Sequence, residues 1–158
     1  MLTLRAAVPG DIPLILAYIR ELAHYERAPE QAVATEADMR EAIFGERPHA
    51  RVLMAEWAGR DAGFALYFFA FSTWEGRPAL YLEDLFVRPE FRGHGLGKAL
   101  LKRLAAIALE ERCTRFQWAV LDWNQPAIDF YEQQGARVMR EWLHCRVEGE
   151  ALEALANK

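Results

Sequence analysis

Arg92-Gly93-His94-Gly95-Leu96-Gly97-Lys98 alternates glycine with other residue types, directly after a predicted strand and at the start of a predicted helix. Glycine admits backbone angles that turn successive N–H groups into a shared concavity and lets an anion approach closely. A helix N-terminus adds unpaired N–H donors and the positive end of the peptide dipoles. With Arg92 and Lys98 supplying charge, the segment predicts a cradle for phosphate. A nucleoside-triphosphatase loop needs Gly-x4-Gly-Lys-[Ser/Thr]; here Arg92 stands where the first glycine would, and Ala99 follows Lys98, so magnesium has no hydroxyl. A dinucleotide fingerprint needs GxGxxG within a repeated strand–helix–strand unit, whereas this loop reads GxGxG.

Other residues carry proton chemistry. Glu83 and Asp84 are neighbours in an apolar run from Leu80 to Val87. Adjacent strand residues project to opposite faces, so they form no catalytic pair unless a bulge intervenes. Tyr131 offers a phenol that can give a proton to a thiolate, and reads equally as a core aromatic beside Ile128 and Phe130. Asn124 is placed to cap the helix that carries it. Glu26 ends the first predicted helix, where the dipole disfavours a negative charge. Trp118 reads as a core residue as readily as a site residue. His94 is expected to be exposed and incidental between its glycines, and His24, His49 and His144 structural or on the surface. Cys113 and Cys145 show no CxxC or Cys/His spacing, which predicts neither a metal site nor a disulfide framework.

The elements that must position these groups follow from pattern. Leu2–Arg5 reads as a strand. Asp11 caps a helix running to about Glu26, and Ala28-Pro29-Glu30 breaks it. Thr35, with Asp38 in capping-box position, opens a shorter helix ending near Gly45. Strands are predicted at Arg51–Trp57, Gly63–Trp74 and Leu80–Val87, with short turns that imply antiparallel pairing. A helix over Leu96–Arg112, a strand over Arg115–Leu121, a helix over Gln125–Gln134, a strand over Arg137–Val147 and a terminal helix over Glu150–Ala156 follow. The order β-α-α-β-β-β-α-β-α-β predicts an α/β fold: a mixed, mostly antiparallel central sheet flanked by helices.

Composition bounds the function. The chain has 158 residues, is 53% hydrophobic and 12% aromatic, and shows no linker or repeat, so a single domain over residues 1–158 is expected. A net charge of -4 argues against a general nucleic-acid binder. The most apolar stretch, Gly63–Phe71, is too short to span a bilayer as a helix, and the N-terminus lacks a signal-peptide pattern. A cytoplasmic location without membrane attachment is expected.

At Arg92-Gly93-His94-Gly95-Leu96-Gly97 the sequence resembles the GNAT superfamily of acetyltransferases, whose pyrophosphate signature is Q/R-x-x-G-x-G/A. Glu21–Glu26, Leu80–Val87 and Trp123–Tyr131 extend the likeness to the diamine acetyltransferase subfamily, which includes spermidine/spermine N1-acetyltransferase and thialysine-acetylating relatives. The resemblance runs from about Leu4 to Trp142. It implies acetyl-CoA as co-substrate, no metal, and direct acetyl transfer to a primary amine of a small cationic acceptor.

The same resemblance assigns residues. The cofactor would be held by Arg92, Gly93, His94, Gly95, Leu96, Gly97 and Lys98, by backbone groups of Leu85, Phe86 and Val87 where the strand splays open, and by Asn124, Gln125, Pro126 and Ala127. Glu83 would bind the amine and accept its proton through water, with Asp84 beside it. Tyr131 would be the general acid near the thioester sulfur. Tyr25, Glu26, Gln117, Trp118 and Ala119 would line the acceptor groove. Gln125 departs from the family, which shows an acidic residue there. A homodimer is also implied, with Arg137–Val147 as a candidate contact edge. Acetylation of a protein N-terminus or an aminoglycoside is the nearest competing function. A non-catalytic acyl-CoA-binding module is disfavoured because the glycine signature and Tyr131 are both present.

Overall fold

The computed structural model describes residues 1–158 as two compact units, Met1–Leu121 and Asp122–Lys158. In the first, β1 (Leu2–Ala6) leads to α1 (Ile12–Tyr25) and α2 (Glu36–Phe44), then to β2 (Arg51–Trp57), β3 (Arg60–Ser72) and β4 (Arg77–Val87). Helix α3 (Leu96–Glu110) and a short β5 (Arg115–Gln117) complete it. The second unit holds α4 (Gln125–Gln133) and α5 (Glu150–Ala156).

The sheet has the order β1-β2-β3-β4-β5, antiparallel throughout except for the parallel β4–β5 pair. Short turns join β2 to β3 and β3 to β4, as the sequence predicts, while helices connect β1 to β2 and β4 to β5. The β2–β3 turn puts Ala58 at φ 50° and Gly59 at φ 77°, both left-handed as a two-residue hairpin of matching twist requires.

Ile12, Ile15 and Tyr18 of α1 pack with Val52, Met54, Phe64, Leu66 and Phe86 into one buried cluster. Strand alternation turns Leu53 and Tyr67 to the opposite face, where they line a cavity of about 390 Å³ together with Arg103 and Ile107 of α3. The sheet is therefore covered by α1 on one face and α3 on the other.

The two helix-start signals resolve differently. Thr35 accepts from the Asp38 N–H at 3.1 Å while Asp38 accepts from the Thr35 N–H at 2.8 Å, the predicted capping box. Asp11 precedes α1 but does not cap it. Its carboxylate instead accepts from the Val8 N–H at 2.8 Å and from both Arg5 terminal nitrogens at 2.7 and 3.0 Å. That guanidinium holds the Asp11 carboxyl below the usual aspartate range.

Two strand expectations need correction. Strand β5 ends at Gln117, short of Leu121, and Arg137–Val147 forms no strand. Extended chain becomes a strand only through a ladder, and the sheet ends at β5. Within 137–147 the backbone instead bonds locally, Arg140 N–H to the Val138 carbonyl at 3.1 Å and Trp142 N–H to the Met139 carbonyl at 3.3 Å. Those short bonds turn the chain and break the run. The observed order ends in two helices, β-α-α-β-β-β-α-β-α-α.

Candidate active site

The third and fourth strands lose register at one residue. Leu66 pairs with Asp84 and Tyr67 with Leu82, so Glu83 has no partner across the ladder. Cross-strand partners share a face, which puts Asp84 with Leu66 on the α1 side and Leu82 with Tyr67 on the α3 side. The phase of β4 therefore changes at Glu83. The strict alternation expected of Glu83 and Asp84 gives way to a bulge, a device that re-aims side chains.

The electrostatics follow this geometry. Asp84 is half-buried on the α1 face, and its carboxyl is pushed up to about 7, first by desolvation and then by the charges of Glu83 and Glu26. Burial also raises the Glu26 carboxyl, with Glu83 adding to it. Three carboxylates from the end of α1 and the bulge of β4 thus share one field; Glu26 and Glu83 are exposed to solvent and Asp84 is half-buried. A cation placed there would relieve repulsion that the protein otherwise carries. The molecule holds no group of three or more His, Cys, Asp or Glu side chains arranged for a metal ion.

The far edge of β4 opens at the same place. Its parallel ladder to β5 covers only Ala79, Leu80 and Tyr81, against Arg115, Phe116 and Gln117. From Leu82 to Val87 the backbone on that edge has no strand beside it. Leu85 and Val87 are half-buried and Phe86 is buried, so the edge belongs to a firmly packed strand. One acceptor there is already engaged: the Val87 carbonyl takes a bond from Arg92 Nε at 2.8 Å. Gly63 faces Val87 across the ladder, and a Cβ on it would collide with the Phe86 carbonyl. Glycine is needed here for close backbone approach.

Beyond β4 lies the glycine loop. Gly93 and Gly95 adopt φ 85° and 80°, and a side chain at either would meet nothing within 4 Å. Left-handed backbone is what calls for glycine there, and the space in front of the loop is open. Gly97 differs; it lies inside the first turn of α3. Gly95 caps α3 with no side-chain hydrogen bond, leaving the first helical N–H groups directed out of the helix end. Leu96 is buried beneath it and Lys98 is exposed. This open, amide-lined cradle is suited to a phosphate group.

Arg92 also reaches across to the end of α1. Its guanidinium carbon stands 5.8 Å from the centres of both the Tyr25 and Phe86 rings, linking the loop to the end of α1. Gln117 closes β5, and Trp118 and Ala119 follow it outside the strand. Trp118 packs at 4.8 Å on Phe116, its neighbour on the same side of the chain. The structure thus gathers Tyr25, Glu26, Glu83, Asp84 and the loop in the first unit. His94, expected to be incidental, stacks on Trp57 of β2 at 4.7 Å with an 18° interplanar angle. No sequence signal marks Trp57, because the stack joins residues far apart in the chain.

In the second unit, Asn124 is buried and accepts from the Ala127 N–H at 3.4 Å, the predicted helix cap. Pro126 occupies the first turn of α4, where a missing N–H is harmless. Gln125 donates to Asp129 Oδ1 at 2.7 Å, one helical turn on, so the amide that replaces the family's acid is absorbed on the helix surface. Tyr131 is half-buried, its ring 5.5 Å from that of Phe130.

Comparison with known proteins gives this geometry its context. A family model described as the acetyltransferase (GNAT) family matches residues 17–136. The thialysine N-epsilon-acetyltransferase of Sus scrofa is 43% identical, over 98% of this chain and 97% of its own length. The L-ornithine N5-acetyltransferase of Arabidopsis thaliana is 32% identical, over 96% and 86%. Among solved structures, an integron cassette protein from the mobile metagenome of V. cholerae superposes with a TM-score of 0.83 at 30% identity, covering 99% of this chain and 98% of its own. The match spans most of the chain, and the likeness to curated enzymes runs nearly end to end. The chain belongs to the GNAT family and is an acetyl-CoA-dependent N-acetyltransferase.

Proposed function

We propose that the enzyme acetylates a primary amine of a small cationic acceptor of the polyamine, diamine or lysine-like class. The observation that carries this reading is the shared field of Glu26, Glu83 and Asp84 beside the open edge of β4. The curated relatives named for thialysine and for ornithine support it, since each of those acceptors bears a distal amine. Acetyl-CoA supplies a thioester carbonyl as electrophile and a thiolate as leaving group.

The chain's own residues supply the rest. An alkylammonium with a pKa near 10 needs about 4 kcal/mol to lose its proton at neutral pH. Glu26 and Glu83 attract and orient the cation. Glu83 takes the proton through water, and Asp84, poised near neutrality, is matched to share it. Amide N–H groups of the glycine loop and of Leu96 hold the diphosphate, while backbone groups of Leu85 and Phe86 hold the arm that carries the acetyl group. Asn124 to Ala127 add contacts to that arm. Tyr131 returns a proton to the departing sulfur, so that an N–C bond forms as the C–S bond breaks. Tyr25, Gln117, Trp118 and Ala119 border the acceptor.

The test is thiol release from acetyl-CoA with thialysine, lysine, ornithine, putrescine, spermidine, an aminoglycoside and an N-terminal peptide. Release is expected with the small diamines and amino acids and not with the last two. Fastest release with the peptide or the aminoglycoside would move the acceptor to that competing class. Release with none of them would overturn the catalytic reading in favour of an acyl-CoA-binding module.

We further propose a cytoplasmic homodimer. Exposed Phe71 near the end of β3 and Trp74 in the β3–β4 turn, and exposed Trp142 and Leu143 in the second unit, support an apolar contact between copies. A monomer mass by light scattering would remove this part of the proposal.

A further inference from the structure

The glycine loop is held in shape from outside itself. Gly93 and Gly95 contribute no side chains, and the space around them is open, so nothing at these two positions fixes the backbone. A ring of N–H donors binds an anion well only when it is already arranged. Two side chains between Arg88 and Leu96 are in position to impose that arrangement. Phe91 is buried in the turn before the loop, and His94 stands between the two left-handed glycines.

Both are met by one rung of the β2–β3 hairpin. The His94 ring lies on Trp57 at 4.7 Å and 18°, and the Arg60 guanidinium carbon stands 4.9 Å from the Phe91 ring centre. Trp57 and Arg60 are ladder partners across the turn formed by Ala58 and Gly59, so their side chains leave the hairpin on the same face. The rung is itself anchored, because Trp57 also pairs with Leu2 of β1. On the other side, Arg92 ties the loop to β4 through the Val87 carbonyl. The loop is thus gripped from two directions, and the hairpin grip touches the residue between its two left-handed glycines.

We infer that Trp57 and Arg60 are positioning residues for the co-substrate, acting through His94 and Phe91 to hold the glycine loop in its anion-binding shape. This rests on the reading of that loop as the diphosphate cradle. Neither residue needs to touch the ligand. An aromatic stack that only shielded Trp57 from water would affect stability and leave donor selectivity alone.

The experiment compares acetyl-CoA with acetylpantetheine, the same kind of thioester without diphosphate or adenosine, in His94→Ala, His94→Phe, Trp57→Leu and Gly95→Ala. His94→Ala alters an exposed loop side chain, which keeps the test usable if Trp57→Leu folds poorly. Expected is a rise of about three- to tenfold in the acetyl-CoA KM for His94→Ala and Trp57→Leu, the scale of one aromatic pair. The ratio of kcat/KM for acetyl-CoA over acetylpantetheine should fall to match, and His94→Phe should restore it. The variant combining His94→Ala with Trp57→Leu should lose little more than either single one. Equal losses with both donors would show a merely structural stack and overturn the inference. If Gly95→Ala lowers the ratio while His94→Ala does not, the hairpin grip is refuted and the cradle reading stands. If Gly95→Ala leaves the ratio unchanged, the cradle reading falls and the inference falls with it.

Discussion

Replacing Asp84 with asparagine should stabilise the free enzyme at neutral and alkaline pH and leave its stability unchanged in acid. Asp84 carries a carboxyl raised from the ordinary 3.8 to about 7, mainly by desolvation and then by Glu83 and Glu26. Below about pH 4 the group is protonated in both folded and unfolded chains and imposes no penalty. Between about pH 4 and 7 the unfolded chain ionises while the folded one keeps its proton, so stability falls as pH rises. Above pH 7 both are ionised and the full penalty persists. At about 1.4 kcal/mol per pH unit, the span corresponds to about 4 kcal/mol, to be taken as an upper order of magnitude. Asparagine preserves shape and never ionises, so the difference between the two proteins should open across that window. The assay is paired urea unfolding at pH 4, 5.5, 7 and 8.5, which cancels every other titration common to both. A saturating diamine should narrow the gap at pH 8.5 for the wild type, because the bound cation relieves the same repulsion. Parallel stability curves for the two proteins would refute the claim that Asp84 is buried against its own charge.

Two further outcomes bear on the remaining machinery. Tyr131→Phe should lower turnover by about 10²- to 10⁴-fold, the range of a lost general acid, while acetyl-CoA affinity measured by titration calorimetry stays close to wild type. Unchanged turnover would remove Tyr131 from the chemistry. Gly63→Ala should destabilise the fold by about 1–3 kcal/mol through overpacking and weaken acetyl-CoA binding with it. The added carbon collides with backbone at Phe86 and lies 3.0 Å from the Val87 Cα, where no rotamer can yield. Native stability in chemical denaturation would show that β3 and β4 can separate there without harm.

Much of this molecule was legible because its signals are local. The Thr35–Asp38 capping box and the glycine loop are spelled by residues a few positions apart, and both form as read. Asp11 was misread because its best partner, Arg5, lies on another element, and a bidentate ion pair outcompetes a helix cap. The strand expected over Arg137–Val147 failed for a related reason. Side-chain pattern reports the tendency to extend, but a partner strand decides whether extension becomes a ladder. The site divides along the same line. Spacing marks the glycine loop and resemblance singles out Glu83 and Tyr131, whereas the raised carboxyl of Asp84 depends on burial, on Glu83 and on Glu26, which sits 58 residues earlier. The Trp57–His94 stack depends on a hairpin reaching a loop, and no local pattern announces it.

The bulge in β4 has a consequence for how such a site could be gained or lost. Leu82 and Asp84 already point to opposite faces and pair with consecutive residues of β3, Tyr67 and Leu66. Remove Glu83 and the two become neighbours in an uninterrupted ladder, with every other side chain of the strand kept on its present face. A single-codon deletion would therefore subtract one acidic group from the cluster and spare the core, whereas deleting a residue farther along, such as Phe86, would turn the residues between it and the bulge to the opposite face. In this sheet one carboxylate of the acidic cluster is an insertion of length one, and the ladder does not need it.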